Sequence, residues 1–135
     1  LVVSAVGSGS GPPPPVGEED GWLYRYRARV VSVYDGDTCT VEIDLGLSVW
    51  LRGEKLRLAR INAPEVRGRE RAAGLAARDW LKTRIAGKEV VLHTWKDQKG
   101  KFGRYLAEVW RADGDGWLNI NDALVAAGHA VYRDY

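Results

Sequence analysis

Arg57-Leu58-Ala59-Arg60-Ile61-Asn62-Ala63-Pro64-Glu65 is the stretch of this chain densest in groups able to do chemistry. Its first five residues alternate polar and apolar, the period of a half-buried strand. Pro64 lacks a backbone donor and pushes Ala63 out of helical geometry, so the strand ends near Asn62. An amide oxygen, a free backbone carbonyl and a carboxylate then crowd the strand exit, one strand-length from the Arg57 guanidinium. Oxygen ligands, an acid and a guanidinium are the ingredients of a site where a hard cation assists phosphoryl chemistry. The same nine residues also read as an ordinary strand end with a turn, and other parts of the chain must decide between the two.

Asp35-Gly36-Asp37-Thr38 is a second acid-bearing exit. Asp-Gly between two strand-like runs signals a hairpin turn, in which Gly36 would tolerate positive φ. A turn does not account for two carboxylates bracketing the glycine. Two negative charges at a strand exit repel each other unless a cation lies between them.

Alternating strands must position these exits. The pattern predicts a first strand from Trp22 to Tyr34, with Arg25, Arg27 and Arg29 on one face and Tyr24, Tyr26, Ala28 and Val30 on the other. The arginines read as a solvated face or as a landing strip for phosphates. Thr38–Leu45 is the second strand, with Cys39, Val41, Ile43 and Leu45 on one face. Gly46–Gly53 is a longer connection and Lys55–Ile61 the third strand. Gly68–Gly87 has helical spacing, with Ala73, Ala77, Trp80, Leu81 and either Arg84 or Ile85 inward and Gly87 as terminator. Glu89–Lys96 and Tyr105–Arg111 are strands, separated by a polar turn, and Asp113–Gly116 is a loop. A second helix runs from Ile120 to Ala127, with Asn119 as N-cap and Gly128 as terminator. The order β-β-β-α-β-β-α fits a mostly β, α+β fold: a five-stranded, partly open OB-type barrel with two helices at its openings.

Length and composition bound the rest. The 135 residues suffice for one domain with its own core. Residues 1–20, with a Gly/Ser stretch and the Pro12–Pro15 run, read as a flexible tail or linker, leaving 21–135 as the domain. Leu1–Val6 fits either the end of a trimmed signal peptide or an interdomain leftover, and secreted and cytoplasmic locations are both compatible. Cys39 is the single cysteine, so neither an internal disulfide nor a cysteine zinc site is available. His93 and His129 lie far apart, and His93 reads as a packed or edge residue. No run approaches the ~20 apolar residues of a membrane span. The net charge of +2 conceals an asymmetry: residues 1–20 hold Glu18, Glu19 and Asp20 and no Lys or Arg, so residues 21–135 carry +5, 20 basic residues against 15 acidic ones. That excess is compatible with a polyanionic partner.

Four pieces in order resemble the staphylococcal nuclease (thermonuclease) family. They are Asp35-Gly36-Asp37-Thr38; Arg57-Leu58-x-x-Ile61-x-Ala63-Pro64-Glu65; Lys101-Phe102-Gly103-Arg104; and Asn121-x-Ala123-Leu124-Val125 with Gly128. The resemblance covers about Val30 to Ala130. The run Asn62-Ala63-Pro64-Glu65-Val66-Arg67-Gly68 is similar to small bacterial and phage-borne members.

The resemblance implies a role for each matching residue. Asp37, Asn62 and the backbone carbonyl of Ala63 would hold Ca²⁺, with Asp35 and Thr38 supporting them from behind. Glu65 would position and deprotonate the attacking water. Arg57 and Arg104 would clamp the phosphate, and Lys101 and Phe102 would contact the bound nucleotide. Asn62 stands where the family's enzymes often carry an aspartate, and its neutral oxygen predicts weaker Ca²⁺ binding. Phe102 replaces a tyrosine, keeping the stacking face but losing the hydroxyl. The chain also ends soon after the second helix, where the best-known members continue into a third.

The implied activity is Ca²⁺-dependent hydrolysis of DNA and RNA by a monomer, with little sequence specificity and 3′-phosphate ends. A shallow barrel face with Phe102 favours single-stranded substrate. The alternative is a catalytically weak or inactive module of the same fold that binds nucleic acid or protein. A carbohydrate- or peptide-binding barrel is a weaker reading, since it gives no reason for two arginines and three acids at strand exits.

Overall fold

A computed structural model describes residues 24–96 and 104–134. The expected tail, residues 1–20, and the expected nucleotide contacts Lys101 and Phe102 lie outside the described residues.

The first three strands form an antiparallel meander: β1 (Arg25–Asp35), β2 (Thr38–Gly46) and β3 (Val49–Leu58). Their alternation follows the sequence, since Cys39, Val41 and Ile43 are buried while Thr38, Thr40, Glu42 and Asp44 between them are half-buried. Leu45, expected on the inner face, is exposed instead, because the hairpin projects beyond the core there. A two-residue strand, β4 (Ile61–Asn62), follows a tight turn at Ala59-Arg60. After helix α1 (Arg71–Ile85) come β5 (Glu89–Lys96), β6 (Tyr105–Asp113) and β7 (Gly116–Asn119). Helix α2 (Ile120–Ala126) and β8 (Val131–Tyr132) complete the order.

Closure comes from three ladders. β5 pairs antiparallel with β1, and β6 pairs antiparallel with β5. The start of β6 then pairs in parallel with the end of β3, through Leu56–Tyr105, Arg57–Leu106 and Leu58–Ala107. Strands β1, β2, β3, β5 and β6 thus close a five-stranded barrel with two helices, as the element order predicts. The core holds Val30, Val41, Leu58, Ile61, Leu92 and Val109, all at most 1% exposed. Burying a side chain of this size contributes ~1.5–3 kcal/mol.

Helix α1 presents Gly74, Ala77, Leu81 and Ile85 to the barrel. The expected stripe began at Ala73, which is exposed. The stripe starts one residue later, because a glycine is needed at the first contact, as the site makes clear. Gly87 ends the helix at φ +72°, and its N–H donates to the Val30 carbonyl at 2.8 Å. In α2, Asn119 accepts from the Asp122 N–H at 3.0 Å, the expected N-cap.

Several elements differ from their sequence expectation. The connection expected over 46–53 is mostly strand: only Leu47 and Ser48 turn, both at positive φ, as a tight hairpin requires. β7 occupies residues adjoining the expected loop, pairing Asp113–Gly116 through Trp110–Asn119. β8 pairs with β4, a contact between residues too short in pattern to read as strands. Arg25 is 2% exposed, with its guanidinium 5.0 Å from the Trp110 ring centroid, so one of the three arginines expected on a solvated face is packed on an aromatic.

Candidate active site

Two strand exits and the loop after a third short strand meet at one end of the barrel. The turn from β1 to β2 supplies Asp35, Asp37 and Thr38, the end of β3 supplies Arg57, and β4 with its following loop supplies Asn62, Ala63 and Glu65. Arg104 enters from the residue preceding β6. Asp35, Asp37, Thr38, Arg57, Asn62, Glu65 and Arg104 line a single open cleft of ≈ 940 Å³. Every described side chain expected at the site therefore reaches the same cleft.

Asp37 is the hub. It is 6% exposed, and its Oδ2 accepts from the Ala63 N–H at 2.9 Å and lies 3.2 Å from Arg57 Nη2. Its Oδ1 accepts from the Thr38 hydroxyl at 3.2 Å, and its own N–H donates to Asp35 Oδ1 at 3.1 Å. Ala63 thus meets Asp37 through its amide. A carboxylate holding a backbone amide 26 residues away fixes the two exits against each other.

Arg57 is 4% exposed, and its fork is spread over backbone carbonyls and side chains. Nη1 donates to the carbonyls of Leu58 at 2.6 Å and Ile61 at 3.0 Å, which bend the chain from β3 into β4. Nη2 donates to Asn62 Oδ1 at 3.3 Å and faces Asp37. The guanidinium therefore joins the two residues expected to bind a cation and supplies the counter-charge of Asp37. Asp35 differs: burial first, then the neighbouring Asp37, pushes its carboxyl up to about 7.

The donor chemistry fits a hard cation. Asp37 offers carboxylate oxygens and Asn62 an amide oxygen at the wall of an open cleft, with Arg57 Nη2 within reach of both. Hard cations take six to eight oxygens, so two side chains leave most positions for water and phosphate. No group of three or more His, Cys, Asp or Glu able to hold a metal occurs among the described residues. Glu65 stands apart from the pair, exposed, with its N–H donating to Glu70 Oε1 at 3.4 Å.

Three residues the sequence reading did not assign hold this arrangement in place. Gly36 does not have positive φ. A Cβ there would lie 2.7 Å from the Ala63 Cβ and 2.8 Å from the Ala77 Cβ, so Gly36 lets the Asp35–Asp37 turn sit on both the Pro64 loop and α1. A Cβ on Gly74 would overlap the backbone carbonyl of Glu65, so that glycine seats the Glu65 loop on the helix. Asn121, fully buried, donates to the carbonyls of Ala59 at 2.9 Å and Ala107 at 3.0 Å and accepts from the Val109 N–H at 3.0 Å. It ties α2 to the β3–β6 junction directly behind Arg57. A buried asparagine motif on α2 was the available signal for the last of these. The glycines read only as punctuation.

The family of staphylococcal nuclease homologues matches residues 55–135, which takes in Arg57, Asn62, Glu65 and Arg104 and begins downstream of Asp35 and Asp37. An uncharacterised protein of Methanocaldococcus jannaschii is 27% identical over 126 residues, covering 78% of this chain and 58% of the relative. The chain thus spans less than two thirds of that relative's length. The family match covers most of the chain, and it covers the strand exit, helix and buried asparagine that build the cleft. On that extent of agreement, the chain belongs to the staphylococcal nuclease homologues.

Proposed function

We propose that this protein is a Ca²⁺-dependent nuclease that hydrolyses phosphodiester bonds of DNA and RNA with little sequence preference, favours single strands and leaves 3′-phosphate ends. Membership of the family supports a nuclease-like, nucleic-acid-binding role. The observation that carries the finer reading is the convergence of Asp37, Arg57, Asn62, Glu65 and Arg104 on one cleft. Asp37, the Asn62 amide oxygen and the Ala63 carbonyl would hold the ion. Bound there, Ca²⁺ would polarise the phosphate and add positive charge to the site.

The protein's own groups have distinct tasks. Glu65, exposed to solvent, accepts the proton of the attacking water. Arg57 and Arg104 present guanidinium donors to a phosphate whose oxygens gain charge as the bond to the attacking oxygen forms and the bond to the 5′ oxygen breaks, the 5′ oxygen leaving as a hydroxyl with a proton from solvent. Arg57 is held rigidly by two carbonyls, so its positive charge is fixed beside the cleft before substrate arrives. Asn62 contributes no net charge, and Ca²⁺ affinity is accordingly lower than an aspartate there would give. Asn62→Asp should tighten Ca²⁺ binding measured by calorimetry, and unchanged affinity and turnover would refute the role of that residue.

The test is release of acid-soluble nucleotides from single-stranded DNA and from RNA, with Ca²⁺ and with chelator. Activity should vanish in chelator and fall by roughly a hundredfold or more in Glu65→Ala. Digestion that survives either change removes this mechanism. One observation favours a second reading. Arg57 is already bonded to Asp37 and Asn62, which leaves fewer of its donors for a phosphate gaining charge and would weaken hydrolysis while the cleft still holds nucleic acid. Strand binding in chelator, with no digestion in Ca²⁺, would select that reading.

A further inference from the structure

The cleft continues beyond the reacting groups. Tyr34, Thr40 and Lys55 also line it, and Tyr34 is 55% exposed. Cross-strand partners share a face, so the β2–β3 register extends this wall outward. Thr38 pairs with Arg57, Thr40 with Lys55, and Asp44 with Trp50 near the hairpin tip. On the other side of β2, Arg29 pairs with Glu42 and Arg27 with Asp44. The result is a ladder on one sheet face, running from Arg57 through Lys55 and Arg52 to Trp50.

That continuity depends on a bulge. Simple alternation from Arg57 would put Lys55, Gly53 and Leu51 on the cleft face, and Arg52 and Trp50 on the opposite one. The register slips between Val41–Glu54 and Ile43–Leu51, so Arg52 and Gly53 together oppose Glu42. Gly53 takes φ +72°, the left-handed conformation such bulges need. The extra residue brings Arg52 and Trp50 back to the face of Lys55. Arg52 Nη1 then donates to Glu42 Oε2 at 2.7 Å, and its guanidinium lies 5.6 Å from the Trp50 ring centroid. The Arg52 side chain is 63% exposed and Trp50 is 44% exposed, so both remain open to a ligand.

We propose that single-stranded nucleic acid leaves the cleft along the outer face of β1, β2 and β3, with Lys55, Arg52 and Arg29 meeting phosphates and Trp50 stacking a base at the far end. The inference rests on the nuclease reading of the cleft and gives that site a length preference. From Thr38 to Asp44 the strand covers about 20 Å, room for several nucleotides in an extended strand. Sheet faces of such barrels combine cationic tracks with aromatic platforms in this way, with sites of ~4–16 nucleotides. Of the acids near the path, Glu42 is engaged by Arg52 and Asp44 Oδ1 accepts from the Gly46 N–H at 2.8 Å, while Glu54 beside Lys55 and Glu89, the β5 partner of Arg29, bound it at its edges.

The experiment is fluorescence anisotropy of end-labelled single-stranded DNA of about 4 and about 16 nucleotides, in chelator and, with Glu65→Gln protein, in Ca²⁺. Wild type should bind the long strand more tightly. Trp50→Ala should weaken long-strand affinity roughly tenfold while short-strand affinity stays within about twofold, and Trp50→Phe should restore most of the loss. Arg52→Ala should lower the salt slope of long-strand binding by about one. Deleting Gly53 keeps both side chains but turns them to the other face, and should reproduce the length-selective loss. Equal loss for both lengths, or no loss, overturns the path. So does a hairpin whose Trp50 variant loses binding to anionic phospholipid vesicles and not to DNA. Digestion with Ca²⁺ scores the nuclease reading separately. Digestion without length-selective Trp50 dependence removes the path alone, and length-selective binding without digestion removes hydrolysis alone.

Discussion

Arg57 and Arg60 stand three residues apart on one strand exit, and each faces carboxylates, yet they end in opposite situations. Arg57 spreads its donors over two carbonyls, an amide oxygen and Asp37, and borders an open cleft. Arg60 points outward. It grips Glu108 through both Nε and Nη2, at 2.5 and 2.8 Å, reaches Asp122 at 3.0 Å, and lies 5.9 Å from the Tyr132 ring. Asn119 and the Tyr132 hydroxyl complete that cluster on Glu108 and Asp122. The two acids hold its guanidinium firmly in the charged form. The same functional groups border an open cleft in one case and clasp β6, α2 and β8 in the other. Composition alone does not separate the two; the partners gathered around each guanidinium do.

Exchanging the two arginines is the strongest way to break this contrast. Arg57→Lys keeps the charge but loses the planar fork, and Ca²⁺-dependent digestion should fall by roughly a hundredfold. Arg60→Lys should leave digestion within a fewfold of wild type. Comparable losses would mean that the clasp is part of the active site. Asn121→Ala comes next, because it strands two carbonyls and an amide behind Arg57. Urea unfolding should show a loss of about 3 kcal/mol.

Gly74→Ala separates seating from chemistry. The added methyl must push the Glu65 carbonyl away, so digestion should drop along with about 2 kcal/mol of stability. Full activity in that variant would show that the position of Glu65 does not depend on α1. Arg60 itself sits at φ +66°, a conformation costing non-glycine residues ~1–2 kcal/mol. Its side chain is 44% exposed, so solvent screens its ion pairs. Arg60→Ala should cost about 1 kcal/mol in urea unfolding, and Arg60→Gly should cost less, because glycine removes the strain. The smallest effect concerns Cys39, buried in the barrel core on β2. Burial first, with Asp35 nearby, pushes its thiol up to about 12, so a thiol reagent at pH 8 should label it only after denaturation.

Much of the barrel was legible because its signals are local. Alternation located β5, and capping residues located α2, since side chain and backbone act within a few positions there. The convergence of the candidate site was legible for a related reason: Asp37, Asn62 and Glu65 cluster at strand exits beyond what a turn alone requires. What escaped depends on tertiary contact. Gly36 reads as a turn former, but its lack of a side chain serves a close approach to Ala63 and Ala77. Arg60 fits a polar–apolar alternation and gives no hint that the strand has already turned. Gly53 looks like the end of a loop, although it re-aims a strand. Arg25 looks like its neighbours Arg27 and Arg29 until Trp110 arrives from β6 to cover it.

The parallel β3–β6 ladder has a kinetic consequence. The β1–β2–β3 meander joins near neighbours and can form early, but Leu58 meets Ala107 only after α1 and β5 have folded between them. Ordering so long a loop costs entropy before the contact repays it, which makes such closures slow. Arg57 lies in that ladder, and Asn121 bridges it from still further along the chain. During synthesis from the N-terminus, a chain that had reached only β5 would present Asp37 and Arg57 without the strand that fixes them. Catalytic competence should therefore be the last property acquired in refolding, and recovery of digestion should lag behind recovery of β-sheet signal.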